Sequence, residues 1–323
     1  LKKVYSFNPV PEELNDDEAK YILGAQGNLW TEYVKTPDRA QYRVLPRMTA
    51  LSEVVWSPQE SRNYDDFYKR LTHLQEHFDK LGWTIAPGSF SVAIIASESG
   101  EGFNIELTSE KPGVPIHVTL DDSTINATSP IYNQPITVNK TTKIRAALYM
   151  DGNQAGKEIE KTVYFHKALG SLVMYNNPNK KKYSGTGFMN LVDGFTGSTH
   201  YNDGFWQGWE EMDLDVVIDL QKIQSVSNIS AGFLEVIKSW IFLPTQLEVS
   251  FSANGTDFKN GKTIQITDGN LDGEPARKTA ELNGLNENCR YVRIQAINRG
   301  VCPDWHDGAG GKAWVFADVI IVE

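Results

Sequence analysis

The stretch ILGAQGNLWTEY, residues 22–33, decides how the first part of the chain is interpreted. Its small and apolar residues up to Trp30 predict a buried strand. Residues two apart on a strand share a face, so Trp30 and Glu32 would project together from its C-terminal end. An indole that covers the apolar face of a sugar ring, beside a carboxylate that accepts from its hydroxyls, suits a carbohydrate ligand. The alternative is a packed tryptophan and a surface glutamate.

The residues after this strand predict two helices. Thr36 as N-cap, followed by a proline, predicts a helix to about residue 56 with a kink near Pro46, which has no backbone N–H to donate. Apolar residues recur at spacings of three and four over residues 64–81, which predicts a second helix that ends at Gly82. In a β/α barrel, the end of the strand that carries Trp30 would lie on the active-site face.

From about Phe90 the helical period gives way to short alternating strands separated by turn residues. This pattern predicts a small all-β sandwich over residues 91–167 and a second all-β unit over residues 168–323. The strands of the second unit include residues 246–251 and 314–322. We therefore expect a multidomain chain with an α/β first domain, residues 1–90, followed by two β-sandwiches.

Composition argues against several classes of protein. The net charge is −10 and no segment is basic, whereas nucleic-acid binding needs clustered Lys and Arg. No apolar run reaches the ~18 residues of a membrane-spanning helix. A predicted strand would hold Cys289 and Cys302 more than ~20 Å apart, so we expect free thiols. The chain opens at Leu1 without Met, so we expect a segment of a longer protein.

Residues 1–90 resemble the end of the catalytic barrel of glycoside hydrolase family 20. The resemblance rests on the stretches KKVYSFNPVPEEL, ILGAQGNLWTEYV and PRMTALSEVVWSP. It implies an α/β remnant of a TIM barrel, in which Trp30 stacks on a terminal N-acetylhexosamine and Glu32 hydrogen-bonds the outer hydroxyls of that sugar. It also implies a β-N-acetylhexosaminidase as the full-length protein. The family retains configuration because the acetamido group of the substrate attacks the anomeric carbon.

The family's catalytic residues are an Asp-Glu pair that follows two glycines on an earlier strand. Here the only Asp-Glu dipeptide is Asp17-Glu18, which has no such glycines and is predicted to be a solvated turn. We therefore name no catalytic residue in this chain, expect these 323 residues alone to be inactive, and expect no cofactor for catalysis. The alternative function is a glycan-binding or adhesion module without hydrolase activity.

Residues 91–167 resemble the fibronectin type III-like domain that follows the barrel in many hexosaminidases. The resemblance rests on VTLDDSTINATSPIYNQPITVNKTTKIRAALYMDGNQAG, although Asp121-Asp122 stands where the family usually has Asp-Gly. Adjacent carboxylates on a strand would face opposite ways, so they suggest no shared site. We expect a spacer or packing role for this module.

Residues 168–323 resemble the discoidin-like, coagulation factor C-type domain, a jelly-roll sandwich that is commonly a carbohydrate-binding module in bacteria. The resemblance rests on the order of LVDGFTGSTHYNDGFWQGW, SWIFLPTQLEVSFSANGTDF, YVRIQAINRG and AWVFADVIIV. It implies partners that are glycans with N-acetylhexosamine or galactose-type sugars. It also implies a bacterial protein that is secreted, periplasmic or on the cell surface.

Two loops of this last module are rich in aromatic residues and supply candidate glycan contacts. They are Tyr201 and Trp206 in one loop, and Trp305 and His306 in the other. A tryptophan in a glycine-rich loop needs either a packing partner or a ligand, and for the second loop both roles stay open. Core packing is the favoured interpretation for four indoles of this region, including Trp206. These are Trp206, Trp209, Trp240 and Trp314.

Discoidin-like domains usually hold a structural Ca²⁺, so the resemblance implies such an ion here. Asp193 and Ser198 match the loop that carries Asp-Gly and a later hydroxyl, and Asp318 is the carboxylate near the C-terminus. Hard cations prefer oxygen ligands of this kind. Val319 stands where the family usually has Glu, so a loop satisfied by its own backbone is the alternative.

Overall fold

The computed structural model describes residues 1–32, 34–86, 91–99, 102–111, 113–150, 152–267 and 273–323. Tyr33, at the end of the quoted stretch, and the expected boundary near Phe90 lie outside the described residues. Among the helices of the described residues, none is both long and apolar enough to cross a membrane.

The described residues of the first region form five α-helices. They are α1 (Lys2–Tyr5), α2 (Asp16–Ala19), α3 (Pro37–Val44), α4 (Arg47–Trp56) and α5 (Tyr64–Lys80). The hydroxyl of Thr36 accepts from the backbone N–H of Arg39 at 3.2 Å, which is the predicted N-cap. Where one kinked helix was predicted, the chain forms two helices, α3 and α4, that are separated at Leu45 and Pro46. Gly82 ends the last helix with a φ of +67°.

These helices enclose a small core of their own. Phe67 and Leu71 of α5 pack against Ala50 of α4 and Tyr5 of α1, and all four residues are buried. The rings of Tyr5 and Phe67 stack with centroids 4.7 Å apart. The apolar spacing that predicted α5 therefore marks the face by which that helix packs.

The predicted buried strand over residues 22–30 is wrong. These residues have no regular secondary structure and are mostly exposed, and the structure describes no strand within residues 1–32 or 34–86. A parallel strand is stable only when neighbours satisfy its backbone N–H and C=O groups. The α/β barrel remnant that we expected is therefore represented here by its helices alone.

The second region is the expected small sandwich. One sheet has the order β1-β2-β4 and the other the order β3-β5-β6, with antiparallel pairs throughout. Ile105, Ile144 and Leu148 are fully buried between the sheets. The strands are β1 (Val92–Ser99), β2 (Gly102–Ser109), β3 (Ile116–Thr119), β4 (Ile136–Thr137), β5 (Thr142–Met150) and β6 (Asn153–Val163).

The third region is a larger antiparallel sandwich. Its sheets have the orders β12-β11-β14-β9-β7 and β13-β10-β15-β8. Their facing sides bury a core that includes Cys289, and Cys289 and Cys302 are both buried free thiols, as expected. The strands are β7 (Leu172–Tyr175), β8 (Gln207–Glu210), β9 (Leu214–Val226), β10 (Ile229–Glu235), β11 (Gln246–Ser252), β12 (Lys259–Gln265), β13 (Ala276–Leu282), β14 (Glu287–Ile297) and β15 (Trp314–Val322).

The two sandwiches interlock where β6 ends. Phe195 belongs to the third region but packs into the core of the second, and it forms an isolated β-bridge with Val163. The backbone N–H of Tyr164 donates to the carbonyl of Gly194 at 2.9 Å. Gly194 has a φ of +76°, and a Cβ atom there would lie 2.8 Å from the carbonyl oxygen of Tyr164. This position therefore requires glycine for both conformation and space.

Candidate functional site

The two residues of the quoted motif lie on an exposed, irregular segment. Trp30 exposes 75% of its surface, and Glu32 is exposed as well. Nearby, Leu29 lines a mostly apolar hollow of about 320 Å³ together with Arg43 and Leu51 of α3 and α4. Helices α3 and α4 thus lie beside Leu29, while the indole of Trp30 and the carboxylate of Glu32 are exposed to solvent.

The Asp-Glu dipeptide is the first turn of a helix, where we expected a solvated loop. The side chain of Asn15 accepts from the backbone N–H groups of Asp17 (3.0 Å) and Glu18 (3.1 Å). In return, Glu18 accepts from the backbone N–H of Asn15 at 3.0 Å. This reciprocal pair is a capping box, and the helix is exposed. The carboxylate of Glu18 therefore has a local structural role.

Of the first aromatic loop, Tyr201 is accessible and Trp206 is not. Tyr201 and Tyr183 meet edge to face, with centroids 6.1 Å apart, and both line a surface pocket of about 430 Å³. Trp206 is only 1% exposed, and its Nε1 donates to the carbonyl of Ser198 at 3.0 Å. A Cβ atom at Gly197 would lie 2.2 Å from this indole. The prediction that Trp206 contacts a glycan is wrong, because its ring packs beneath the loop.

In the second aromatic loop, His306 organises the loop and Trp305 is presented to solvent. His306 is buried; its Nδ1 accepts from the N–H of Gly308 at 2.9 Å, and its Nε2 lies 2.8 Å from the carbonyl of Ile237. The two contacts define a neutral imidazole that carries its proton on Nε2. The prediction that His306 contacts a glycan is therefore wrong. Trp305 keeps 49% of its surface exposed.

Sequence reasoning missed Trp240, which we expected in the core. It is 40% exposed and adopts a left-handed conformation with a φ of +64°. The ring centroids of Trp240 and Trp305 lie 6.4 Å and 5.9 Å from that of His306. We call Trp240 and Trp305 the indole surface. The two residues lie 65 positions apart in the sequence, so no local pattern associates them.

Exposed carboxylates accompany the indole surface. Asp304 and Asp307 lie on either side of the dipeptide Trp305-His306, and both are exposed. Gly308 lies so close to Trp240 that a Cβ atom would be 2.6 Å from the indole. Glycine therefore allows this loop to lie flat against the ring. Two partly exposed indoles, and two exposed carboxylates that flank Trp305 and His306 in sequence, are groups suited to a sugar.

The three candidate calcium ligands have separate roles. Asp193 is buried; its Oδ1 accepts from the N–H of Phe195 at 2.9 Å and its Oδ2 accepts from the hydroxyl of Thr186. Burial raises the pKa of Asp193 to about 7. Ser198 is exposed, and its hydroxyl accepts from the N–H of His200 at 3.2 Å.

Asp318 is fully buried and pairs with a guanidinium. Its Oδ2 lies 2.6 Å from Nε of Arg277, and its Oδ1 lies 3.1 Å from Nη2 of the same residue. The backbone N–H groups of Gly197 (2.8 Å) and Val319 (2.6 Å) donate to the remaining positions. Among the described residues, no three or more His, Cys, Asp or Glu side chains are grouped as a metal site would need.

Comparison with known proteins identifies two parts of the chain. Residues 1–59 match the model of the glycosyl hydrolase family 20 catalytic domain, and residues 105–163 match the Fn3-associated model. A β-hexosaminidase of Porphyromonas gingivalis is 33% identical over 147 residues, which are 44% of this chain and 18% of that protein. The β subunit of β-hexosaminidase from Sus scrofa is 37% identical over 71 residues, which are 22% of this chain and 13% of that protein. The predicted resemblance to family 20 is therefore confirmed.

The chain spans less than a fifth of the length of these curated relatives. Among solved structures, a fucose-binding module of Streptococcus pneumoniae covers 54% of this chain and 97% of its own, with 14% identity and a TM-score of 0.31. A module of Clostridium perfringens in complex with GlcNAc-α-1,4-galactose covers 49% of this chain and 94% of its own, with 14% identity and a TM-score of 0.29.

Proposed function

We propose that this chain is the C-terminal part of a β-N-acetylhexosaminidase, and that its last region docks glycans. The match of residues 1–59 to the family 20 catalytic domain carries the first part of the proposal. The exposed Trp30 supports it, since an indole with three quarters of its surface in water is suited to a partner outside this chain. In the full-length protein, residues 22–30 would pair with neighbouring strands of the barrel.

In that barrel, Trp30 and Glu32 form one wall of the sugar site. The indole covers the apolar face of the terminal N-acetylhexosamine, and the carboxylate accepts from its outer hydroxyls. The acetamido oxygen of the substrate attacks the anomeric carbon and gives retention of configuration. The acid and the residue that orients the acetamido group are not supplied by Asp17 and Glu18, which lie in the first turn of an exposed helix. The chain alone is therefore inactive.

Turnover of a nitrophenyl N-acetylglucosaminide tests this part. We expect the purified 323-residue chain to give no product above the uncatalysed rate. In the full-length protein, Trp30→Ala and Glu32→Gln should each lower kcat/KM by roughly 10-fold or more, the value of one lost contact of about 1.4 kcal/mol. Glu12→Gln, at another exposed glutamate of the same region, is the matched control and should leave kcat/KM unchanged. Turnover by the chain alone would overturn the proposed inactivity.

The second part of the proposal assigns glycan docking to the indole surface. Trp240 and Trp305 offer apolar ring faces, and Asp304 and Asp307 offer acceptors beside them. The glycans would carry N-acetylhexosamine or galactose-type sugars, and the protein would meet them in the periplasm, on the cell surface or outside a bacterial cell. Docking near the substrate would raise the local substrate concentration for the barrel.

A glycan array with matched tryptophan variants tests the docking. We expect Trp305→Ala to weaken the strongest glycan interaction by roughly 10-fold or more, as loss of a stacked aromatic does. Trp83→Ala is the control, because Trp83 is similarly exposed but belongs to the first region. Glycan binding together with no hydrolysis by the full-length protein would favour the alternative of an adhesion module. Absence of binding to any glycan would overturn the docking and leave the hexosaminidase proposal standing.

A further inference from the structure

A lysine of the second region reaches into a loop of the third. Lys161 lies near the end of β6 and is half-buried. Its Nζ donates to the backbone carbonyl of Thr196 at 3.0 Å and lies 3.7 Å from the centroid of the Phe205 ring. A carbonyl oxygen and an aromatic face are both favourable neighbours of an ammonium group. We call residues 193–205 the junction loop.

Carboxylates of the junction loop and of β15 act on this ammonium. The carboxylates of Asp193, Asp203 and Asp318 all favour the charged form of Lys161, against burial, which is the larger effect and lowers its pKa. Asp193 and Asp318 are buried themselves. A buried carboxylate without a nearby positive charge costs several kcal/mol. Arg277 forms an ion pair with Asp318, and Lys161 is a second cation whose charge the three carboxylates favour.

The oxygen atoms of the junction loop do not fit a divalent cation. Calcium needs about six to eight oxygen ligands at once. All four carboxylate oxygens of Asp193 and Asp318 already accept hydrogen bonds from the protein. The carbonyl of Thr196 accepts from Lys161, and the carbonyl of Ser198 accepts from an indole N–H. The ligand set that the discoidin-like resemblance implies is therefore used for other contacts.

Further contacts between the second and third regions hold the junction loop beside the ammonium of Lys161. Phe195 packs into the core of the second region, and the N–H of Tyr164 donates to the carbonyl of Gly194. Gly232 leaves the space that the Arg277 pair occupies, since a Cβ atom there would lie 2.0 Å from Oδ1 of Asp318. The two cations near the junction loop thus belong to different regions: Arg277 to the third and Lys161 to the second. Lys161 can contact the loop only when the two sandwiches are docked.

We infer that Lys161 is the resident cation of the junction loop: it replaces a divalent metal ion and couples the shape of that loop to docking of the two sandwiches. This inference does not depend on the proposed hydrolase or docking functions. It assigns a positioning role to Lys161, which stabilises the loop through Thr196 and the surrounding carboxylates. It also makes the two sandwiches one mechanical unit that needs no calcium.

Calcium titration of the wild-type chain is the first test. We expect millimolar CaCl₂ or EGTA to change the melting temperature by less than about 1 °C, and calorimetry to detect no Ca²⁺ binding, because stabilisation by a ligand requires occupancy of the folded state. Calcium binding by the wild-type chain, or a rise in its melting temperature of several degrees, would overturn the inference. This measurement does not require any variant to fold.

Substitution of the lysine is the second test. Lys161→Met keeps the alkyl stem and removes the charge, so we expect a melting temperature lower by roughly 3 °C or more, and faster amide hydrogen exchange in residues 194–205. Lys157→Met, at an exposed lysine of the same strand, is the control and should match wild type. Lys161→Arg should restore most of the protection. If Lys161→Met has the melting temperature and exchange of wild type, the inference is wrong.

Discussion

Trp30 of the first region and Trp209 of the third region lie in opposite environments. Trp30 of the first region lies on an irregular segment with most of its indole in solvent. Trp209 of the third is fully buried between two sheets, and its Nε1 donates to the carbonyl of Asn177 at 3.0 Å. The third region thus supplies the surfaces that bury Trp209. A tryptophan in a specific motif predicts a contact, and only the fold decides whether the partner lies in the same chain.

Truncation of the buried indole is the change with the largest expected effect. We expect Trp209→Ala to lower the free energy of unfolding of the third region by about 3–5 kcal/mol, because it removes a core aromatic and leaves a cavity. Urea denaturation followed by far-UV circular dichroism measures the loss. Phe188→Ala is the control, because Phe188 is an exposed aromatic of the same region and should change stability by less than about 0.5 kcal/mol. A loss below about 1 kcal/mol for Trp209→Ala would break the comparison.

Local patterns were sufficient to predict some of the regular elements. The strand predicted over residues 314–322 coincides with β15, and the helix predicted over residues 64–81 differs from α5 by one residue. Alternation of apolar residues and their spacing of three and four are properties of neighbouring positions. They can therefore be recognised in the sequence without knowledge of the fold. The segment 22–30 differs because a barrel strand depends on hydrogen bonds from strands elsewhere.

The candidate sites depended on residues far apart in the sequence and could be predicted only in part. His306 is held by the carbonyl of Ile237, which lies 69 residues away, so its glycine-rich surroundings did not reveal that it is buried. Asp318 was expected to bind a metal, but Arg277 reaches it from 41 residues away. Only the exposure of Trp305 agrees with a role that the sequence left open. Composition and local spacing cannot identify a hydrogen-bond or ion-pair partner that lies far away in the sequence.

The pH dependence of stability reports on His166, which is buried where the two sandwiches meet and lines a hollow with Phe103 of the second region and Leu220 of the third. Burial lowers the pKa of His166 from 6.5 to about 3. The folded chain therefore keeps a neutral imidazole, whose stabilising contribution is complete above pH 6.5 and is lost as the pH falls toward 3. We expect about 2 kcal/mol less stability from this residue at pH 5 than at pH 7.5. Urea denaturation at the two pH values measures the difference.

A non-titrating variant isolates the contribution of that imidazole. His166→Leu should reduce the pH difference in the free energy of unfolding by about 2 kcal/mol. His200→Leu, at an exposed histidine of the third region, is the control and should keep the difference. If His166→Leu and wild type have the same pH dependence, the His166 ring is hydrated in the folded chain. The contact between the two sandwiches would then be less tightly packed than the core of the third region.

The smallest expected effect on stability is at Trp30, which lies in the most specific sequence motif of the chain. Trp30→Ala should change the free energy of unfolding of the chain by less than about 0.5 kcal/mol, because the indole has little contact to lose. The same substitution in the full-length protein should lower hydrolysis, since there the indole would face the sugar. A loss above about 1 kcal/mol in the chain alone would mean that residues 22–30 pack against its helices in solution. Trp30 would then be a packed residue like Trp209, and the two regions would differ only in the size of their hydrophobic cores.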